Sequence, residues 1–293
     1  MQLNINIVKE KAKQLDIPLV NLLAGSLLEL CVRRIATSTY GEVMWLENGD
    51  ILGAKQYKKG YNLTLCYSYI EDEHRNDPDK PSGKFDEETK KLLVEVLCPT
   101  LETEDITWKS KIRENELLIT ATLGEMAVPL VVRITPRIRG DFYPQQRELR
   151  LLMENNMTIE YMHFPYEWTL AHHYVNLMEK MELLPETEYY IEMYDIVSRE
   201  TVDGRKVREY LLAQLEGRSI AREESRLEII KGYANLRYMK AKWKVLLRQK
   251  KRTEPSLEDA LEVISSFFGP LWHSICTNEV FFGDWMPQLR RYL

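Results

Sequence analysis

The stretch GYNLTLCYSY, residues 60–69, decides how the first half of this chain is read. It alternates along its length, is rich in aromatic and branched residues, and follows the turn-like Lys58-Lys59-Gly60. That pattern predicts a β-strand. On its N-terminal side, residues 4–37 carry apolar residues at helical spacing, and Pro18 divides them into two helices because it removes a backbone donor and fixes φ. EVMWL, residues 42–46, predicts a short strand ending in the turn ENGD. On its C-terminal side, residues 71–84 read as a polar loop and FDEETKKLLVEVL as a helix. Three further strands are predicted around 106–113, 116–123 and 128–135, antiparallel because short breaks join them.

Beyond about residue 165 nearly every segment has a helical pattern. The fold class expected is α+β: N-terminal helices and a mixed sheet over residues 1–164, then an all-helical domain over 165–293. The 293 residues suffice for two modest domains. With 44% hydrophobic and 29% charged residues the composition is that of an ordinary globular protein, and a net charge of -5 argues against a surface that coats nucleic acid all over. No stretch approaches the roughly 20 apolar residues that span a bilayer. The start MQLNINIVKEKAK has no apolar run behind a basic segment, so neither a signal peptide nor a membrane partner is expected. Cys31, Cys66, Cys98 and Cys276 form no close pair, which predicts reduced thiols in cytoplasm rather than a zinc site or a disulfide framework.

Several strings, in order, resemble one family. LELCVRRIATSTY with the short strand and ENGD, VPLVVRITPRIRGDFYP, EWTLAHHYVNLMEKMEL with EMYDIVSRETVDGRKVREYL, and YMKAKWKVLL through FFGPLWHSI to WMPQL are similar to successive parts of the AbiEii/AbiGii-type toxin nucleotidyltransferases. The resemblance covers nearly the whole chain. It implies a nucleotidyltransferase-like sheet, Mg²⁺ and a nucleoside triphosphate as cofactor and substrate if the protein is active, and toxin–antitoxin or phage-defence function. An antitoxin protein and transfer RNA or another RNA are the partners it implies.

Carried over residue by residue, the family's motifs are altered. Its Gly-Gly turn falls on Asn48-Gly49, and its Asp-x-Asp on Asn62-Leu63-Thr64. The third carboxylate falls on Arg133, and the family's lysine on His173, next to His172. Of a later acidic pair, Glu192 and Asp195 remain. A hard cation depends on anionic oxygens. An amide, a hydroxyl and a guanidinium remove that charge, each term being worth about 4 kcal/mol at ~4 Å and an effective dielectric near 20. The expectation is a catalytically impaired protein that holds no metal. The alternatives are an active, divergent enzyme moving a nucleotidyl group onto RNA or protein, and a non-catalytic protein that binds RNA or a partner. If active, Asp195, Glu192 and His173 are the catalytic candidates. Asn48, Gly49, Lys58, Lys59, Asn62, Thr64 and Arg133 would hold the nucleotide.

His172 and His173 point about 100° apart on a helix, so they do not readily share a metal. Residues 231–252 contain nine Lys or Arg and no acid, with Tyr233, Tyr238 and Trp243 interleaved. This segment reads either as an RNA-phosphate surface through Lys240, Lys244 and Arg248, or as an amphipathic helix with a solvated basic face. The aromatic tail NEVFFGDWMPQLRRYL reads as core closing the helical half.

Overall fold

The computed structural model describes residues 4–58, 63–72, 83–99, 105–140, 143–154, 157–184, 187–250 and 252–293. The chain forms two units, Met1–Pro165 and Tyr166–Leu293.

In the first unit, α1 (Ile5–Leu15) and α2 (Leu19–Ala36) meet at Pro18, which stands at the N-cap of α2. After α2 come β1 (Met44–Leu46), α3 (Ala54–Lys58), β2 (Thr64–Glu71) and α4 (Glu87–Leu97). The N-cap Asp86 of α4 accepts a bond from the Thr89 N–H, as a capping residue should. Strands β3 (Ile106–Arg113), β4 (Glu116–Leu123), β5 (Met126–Ile138), β6 (Gln145–Arg150) and β7 (Thr158–His163) follow. The seven strands form one mixed sheet in the order β3-β4-β5-β2-β1-β7-β6. Strands β3, β4 and β5 are antiparallel neighbours, whereas β2 runs parallel to β5.

The alternation read in residues 60–69 is present from Thr64 on, and residues 59–62 lie outside the described residues. Leu65, Tyr67 and Tyr69 turn into the core, joined by Val132 and Ile134 of β5. Thr64, Cys66 and Ser68 leave by the other face. Strands β6 and β7 are not anticipated from the sequence. QQRELR has a single apolar residue, Leu149, and lacks the alternation that marks a strand, whereas TIEYMH does alternate, with Ile159 and Tyr161 inward and Thr158 and Glu160 outward, and is passed over.

Helix α2 lies against this core with most of its residues buried, including Glu29. Its Gly25 is required by packing: a Cβ there would fall 2.4 Å from the Tyr57 ring. The Tyr57 hydroxyl donates to Glu29 Oε1 at 3.0 Å, and the Leu152 N–H donates to Oε2 at 3.0 Å. Burial nevertheless dominates and pushes the Glu29 carboxyl up to about 7.

The second unit contains α5 (Tyr166–Lys180), α6 (Glu188–Arg199), β8 (Val202–Asp203), α7 (Gly204–Leu215), α8 (Ser225–Gly232), α9 (Arg237–Gln249), α10 (Leu257–Cys276), β9 (Asp284–Met286) and β10 (Arg291–Tyr292). Its core is built on α10, where Phe267, Phe268 and Trp272 are buried. The expectation of an all-helical domain needs one amendment. The tail's β9 and β10 join β8 in a small sheet of order β10-β9-β8, with Trp285 buried and its indole donating to the Val197 carbonyl at 2.7 Å. Strands of two and three residues are too short to leave a period. The tail is also only partly core, since Val280, Phe282 and Leu293 are exposed. Among the described residues, no single helix is long and apolar enough to cross a membrane.

Glu29 gives the stability a signed pH dependence. A carboxyl whose folded value is raised stabilises fully below its ordinary value of 4.5 and loses that contribution as pH rises through about 7. Glu29→Gln is therefore expected to remove this decline and to exceed the wild type by roughly 3 kcal/mol above pH 8. Urea unfolding at pH 5 and pH 8 measures it. Equal pH slopes in the two proteins would show that Glu29 does not carry the effect.

Candidate functional site

The face of the sheet turned away from α2 is set by the register of two parallel strands. Cys66 pairs with Arg133 and Thr64 with Val131. Thr64, Cys66 and Ser68 on β2 therefore share a face with Val131, Arg133, Thr135 and Arg137 on β5. Antiparallel β1 adds Trp45, opposite Ser68. Glu47 follows, its N–H donating to the Cys66 carbonyl at 2.8 Å.

Two acid–base groups occupy this face. The Glu47 carboxylate accepts from the Ser68 hydroxyl at 2.6 Å and from Arg137 Nη2 at 3.1 Å. Arg137 Nε donates in turn to the Ser68 oxygen at 2.7 Å, closing a three-membered network. The Arg137 guanidinium also lies over the Phe164 ring, 4.7 Å from its centre. Beside this group, Arg133 holds Glu116 of β4 through both Nε and Nη2, each at 2.9 Å. The two carboxylates flanking the Thr64–Arg133 region are thus each committed to an arginine.

Asn48 lies at the same end of β2. Its Nδ2 donates to the Thr64 carbonyl at 2.9 Å, and its Oδ1 accepts from the Cys66 N–H at 2.8 Å. The side chain continues the backbone pairing where β1 has ended. Gly49 is held close to β7: a Cβ would fall 2.8 Å from the Tyr161 hydroxyl and 3.1 Å from the His163 ring. His163 itself is fully buried, its Nδ1 2.6 Å from the Phe164 carbonyl oxygen. Burial, reinforced by Arg147, pushes it down to about 3, so it is neutral at pH 7.

The structure thus gathers Asn48, Gly49, Thr64 and Arg133 around one end of β2. Lys58 is half exposed, 4.0 Å from the Asp16 carboxylate. Lys59 and Asn62 lie outside the described residues. Among the described residues, no three His, Cys, Asp or Glu side chains converge as a metal-holding group. A divalent cation fits this donor set poorly, because an amide, a hydroxyl and two acids already neutralised by arginines offer it little net charge.

The remaining candidates lie in the second unit. His173 Nε2 is 2.9 Å from Glu192 Oε2, and the imidazole stacks on Tyr189 with ring centres 4.0 Å apart. Asp195, one turn along α6, is paired with Arg199 at 3.2 Å and Arg252 at 2.6 Å. His172 diverges from His173, stacking on Trp168 and meeting Gln214. These groups have the partners of a helix-packing network. In α9, Met239, Trp243, Leu246 and Leu247 are buried, and the Trp243 indole donates to the Pro255 carbonyl at 2.9 Å. That anchorage turns Arg237, Lys240, Lys244 and Arg248 outward along one flank. Among the described residues, Lys240 alone of these four is in an ion pair, with Glu258 at 3.9 Å.

Sequence reasoning passed over Glu47, Ser68 and Arg137. The first two sit at strand-alternating positions beside buried neighbours, which marks them as open-face residues. Nothing local announces that Arg137 reaches them, since it lies 90 residues beyond Glu47. No protein-family model matches the chain, and no curated protein matches it either.

If Asn48 serves β2 as described, Asn48→Ala leaves one N–H and one carbonyl of that strand without their bonds. The expected cost is about 2 kcal/mol of unfolding free energy in urea. A change within error would show that water replaces the amide without loss.

Proposed function

We propose that this chain is a nucleotidyltransferase-like protein of the AbiEii/AbiGii toxin kind that has lost metal-dependent transfer and acts by binding RNA in the cytoplasm. The observation that carries the loss of transfer is the pairing of Glu47 with Arg137 and of Glu116 with Arg133. For a divalent ion to use either carboxylate, an arginine must first be displaced, and its guanidinium would then stand unpaired near the metal and the triphosphate. Thr64 adds only a neutral oxygen.

Binding remains open to such a protein. The outward flank of α9 presents Arg237, Lys240, Lys244 and Arg248 at helical spacing, with no acid in the helix. Counterion release from RNA phosphates on such a stripe favours association without base recognition. Tyr238 is exposed beside it and offers a ring for stacking. The competing reading, an active and divergent enzyme, would rely on Glu192 and Asp195. Their existing partners, His173 for one and Arg199 with Arg252 for the other, give each a structural task instead.

Calorimetric titration of each nucleoside triphosphate with and without Mg²⁺ tests the loss of transfer. The expected result is no metal-dependent binding, together with no transfer of label from nucleoside triphosphates to total RNA. Transfer abolished by Asp195→Ala would establish the active enzyme instead.

The RNA surface has a separate test. Lys240→Glu/Lys244→Glu/Arg248→Glu is expected to weaken transfer RNA retention on a native gel at least about tenfold, and wild-type binding should fall steeply with added salt. Unchanged retention would remove α9 as the surface.

A further inference from the structure

Among the described residues, strand β3 is an edge of the seven-stranded sheet and pairs only with β4. In an antiparallel pair alternate residues turn their N–H and C=O away from the partner, so β3 carries a row of donors and acceptors with no described strand beside them. Its side chains alternate in type except at Ser110, which is exposed between Lys109 and Lys111. Thr107, Lys109, Lys111 and Arg113 stand exposed on the open face. On the other face, Trp108 and Ile112 are only partly buried against the core, and the Arg34 guanidinium lies over the Trp108 ring, 4.8 Å from its centre. Among the described residues, none of Lys109, Lys111 and Arg113 is in an ion pair. Opposite them on β4 are Thr120, Leu118 and Glu116, and the Glu116 carboxylate is taken by Arg133.

Charge selects the occupant of this edge. A second copy of β3 laid against the first would set lysine and arginine against lysine and arginine on one face, which is unfavourable. Edge lysines commonly serve as that kind of guard against self-pairing. The same three cations reward a strand with acids at alternate positions. Residues on one face of any strand recur at about 6.7 Å, so acids on an incoming strand meet all three in register. Its other face, if apolar, covers the remaining exposure of Trp108 and Ile112.

We propose that β3 is a docking edge for an extended segment of a partner protein in which Asp or Glu alternates with apolar residues. Main-chain bonds to β3 supply the attachment, and Lys109, Lys111 and Arg113 supply the selection. This inference rests on the sheet edge alone and is independent of the metal and RNA questions.

The test uses the full chain and a labelled eight-residue peptide of alternating Glu and Val, followed by fluorescence anisotropy and by hydrogen exchange over residues 106–113. The peptide is expected to bind and to slow exchange in β3. Lys109→Glu/Lys111→Glu should weaken it at least about tenfold and create binding to a Lys/Val peptide, which also shows that the variant is folded. No binding up to about 1 mM overturns the proposal, as does binding that is indifferent to the charge reversal. So does the finding that these lysines hold single-stranded RNA while the acidic peptide is ignored.

Discussion

The in-register parallel pairing of β2 with β5 determines which side chains the rest of the first unit must accommodate. Strand side chains alternate, so this register sends Tyr67, Val132 and Ile134 inward and Cys66, Arg133 and Arg137 outward. A slip of one residue on β5 would drive two guanidiniums into an apolar core, at a cost far above that of any local misfit. The apolar inner face thereby fixes the position of the arginines on the outer one. The outer face then has to satisfy them, and Glu47, Ser68 and Glu116 do so.

This arrangement leaves the outer face with little for a cation or a phosphate to hold. Exposed ion pairs are individually worth little, about 1 kcal/mol or less. Their effect here is a matter of occupancy rather than strength. Glu47 is held by two donors at once, and Arg137 is further fixed against Phe164. Asn48 meanwhile spends its amide on the β2 backbone. Cation and phosphate contacts would have to break structural ones, whereas on the two proposed binding surfaces, the flank of α9 and the edge of β3, Lys240 with Glu258 is the one ion pair among the described residues.

Much of the framework was legible from local pattern. Pro18 divided α1 from α2 because a missing donor is a local fact. The hairpin β3–β4 showed itself through alternation and a two-residue break. The amphipathic character of α9 followed from its spacing alone. What stayed hidden was of two kinds. Strand β6, like the two-residue β8 and β10, carries too little apolar periodicity to stand out. The other kind is tertiary: Glu47 meets Arg137 across 90 residues, and the role of Asn48 depends on which backbone lies beside it. An Asn-Gly pair reads alike whether it cradles a phosphate or ends a strand. The burial of His163 beneath Gly49 is equally invisible to spacing.

The central claim is that arginines, and not a metal, satisfy the acids of this sheet face. A crystal soaked in Mn²⁺ with a non-hydrolysable nucleoside triphosphate, read by anomalous scattering, tests it most directly. The account predicts no anomalous peak at that face, with Glu47 still on Arg137 and Glu116 still on Arg133. A manganese ion coordinated by Glu47 or Glu116, with its arginine swung away, would contradict it.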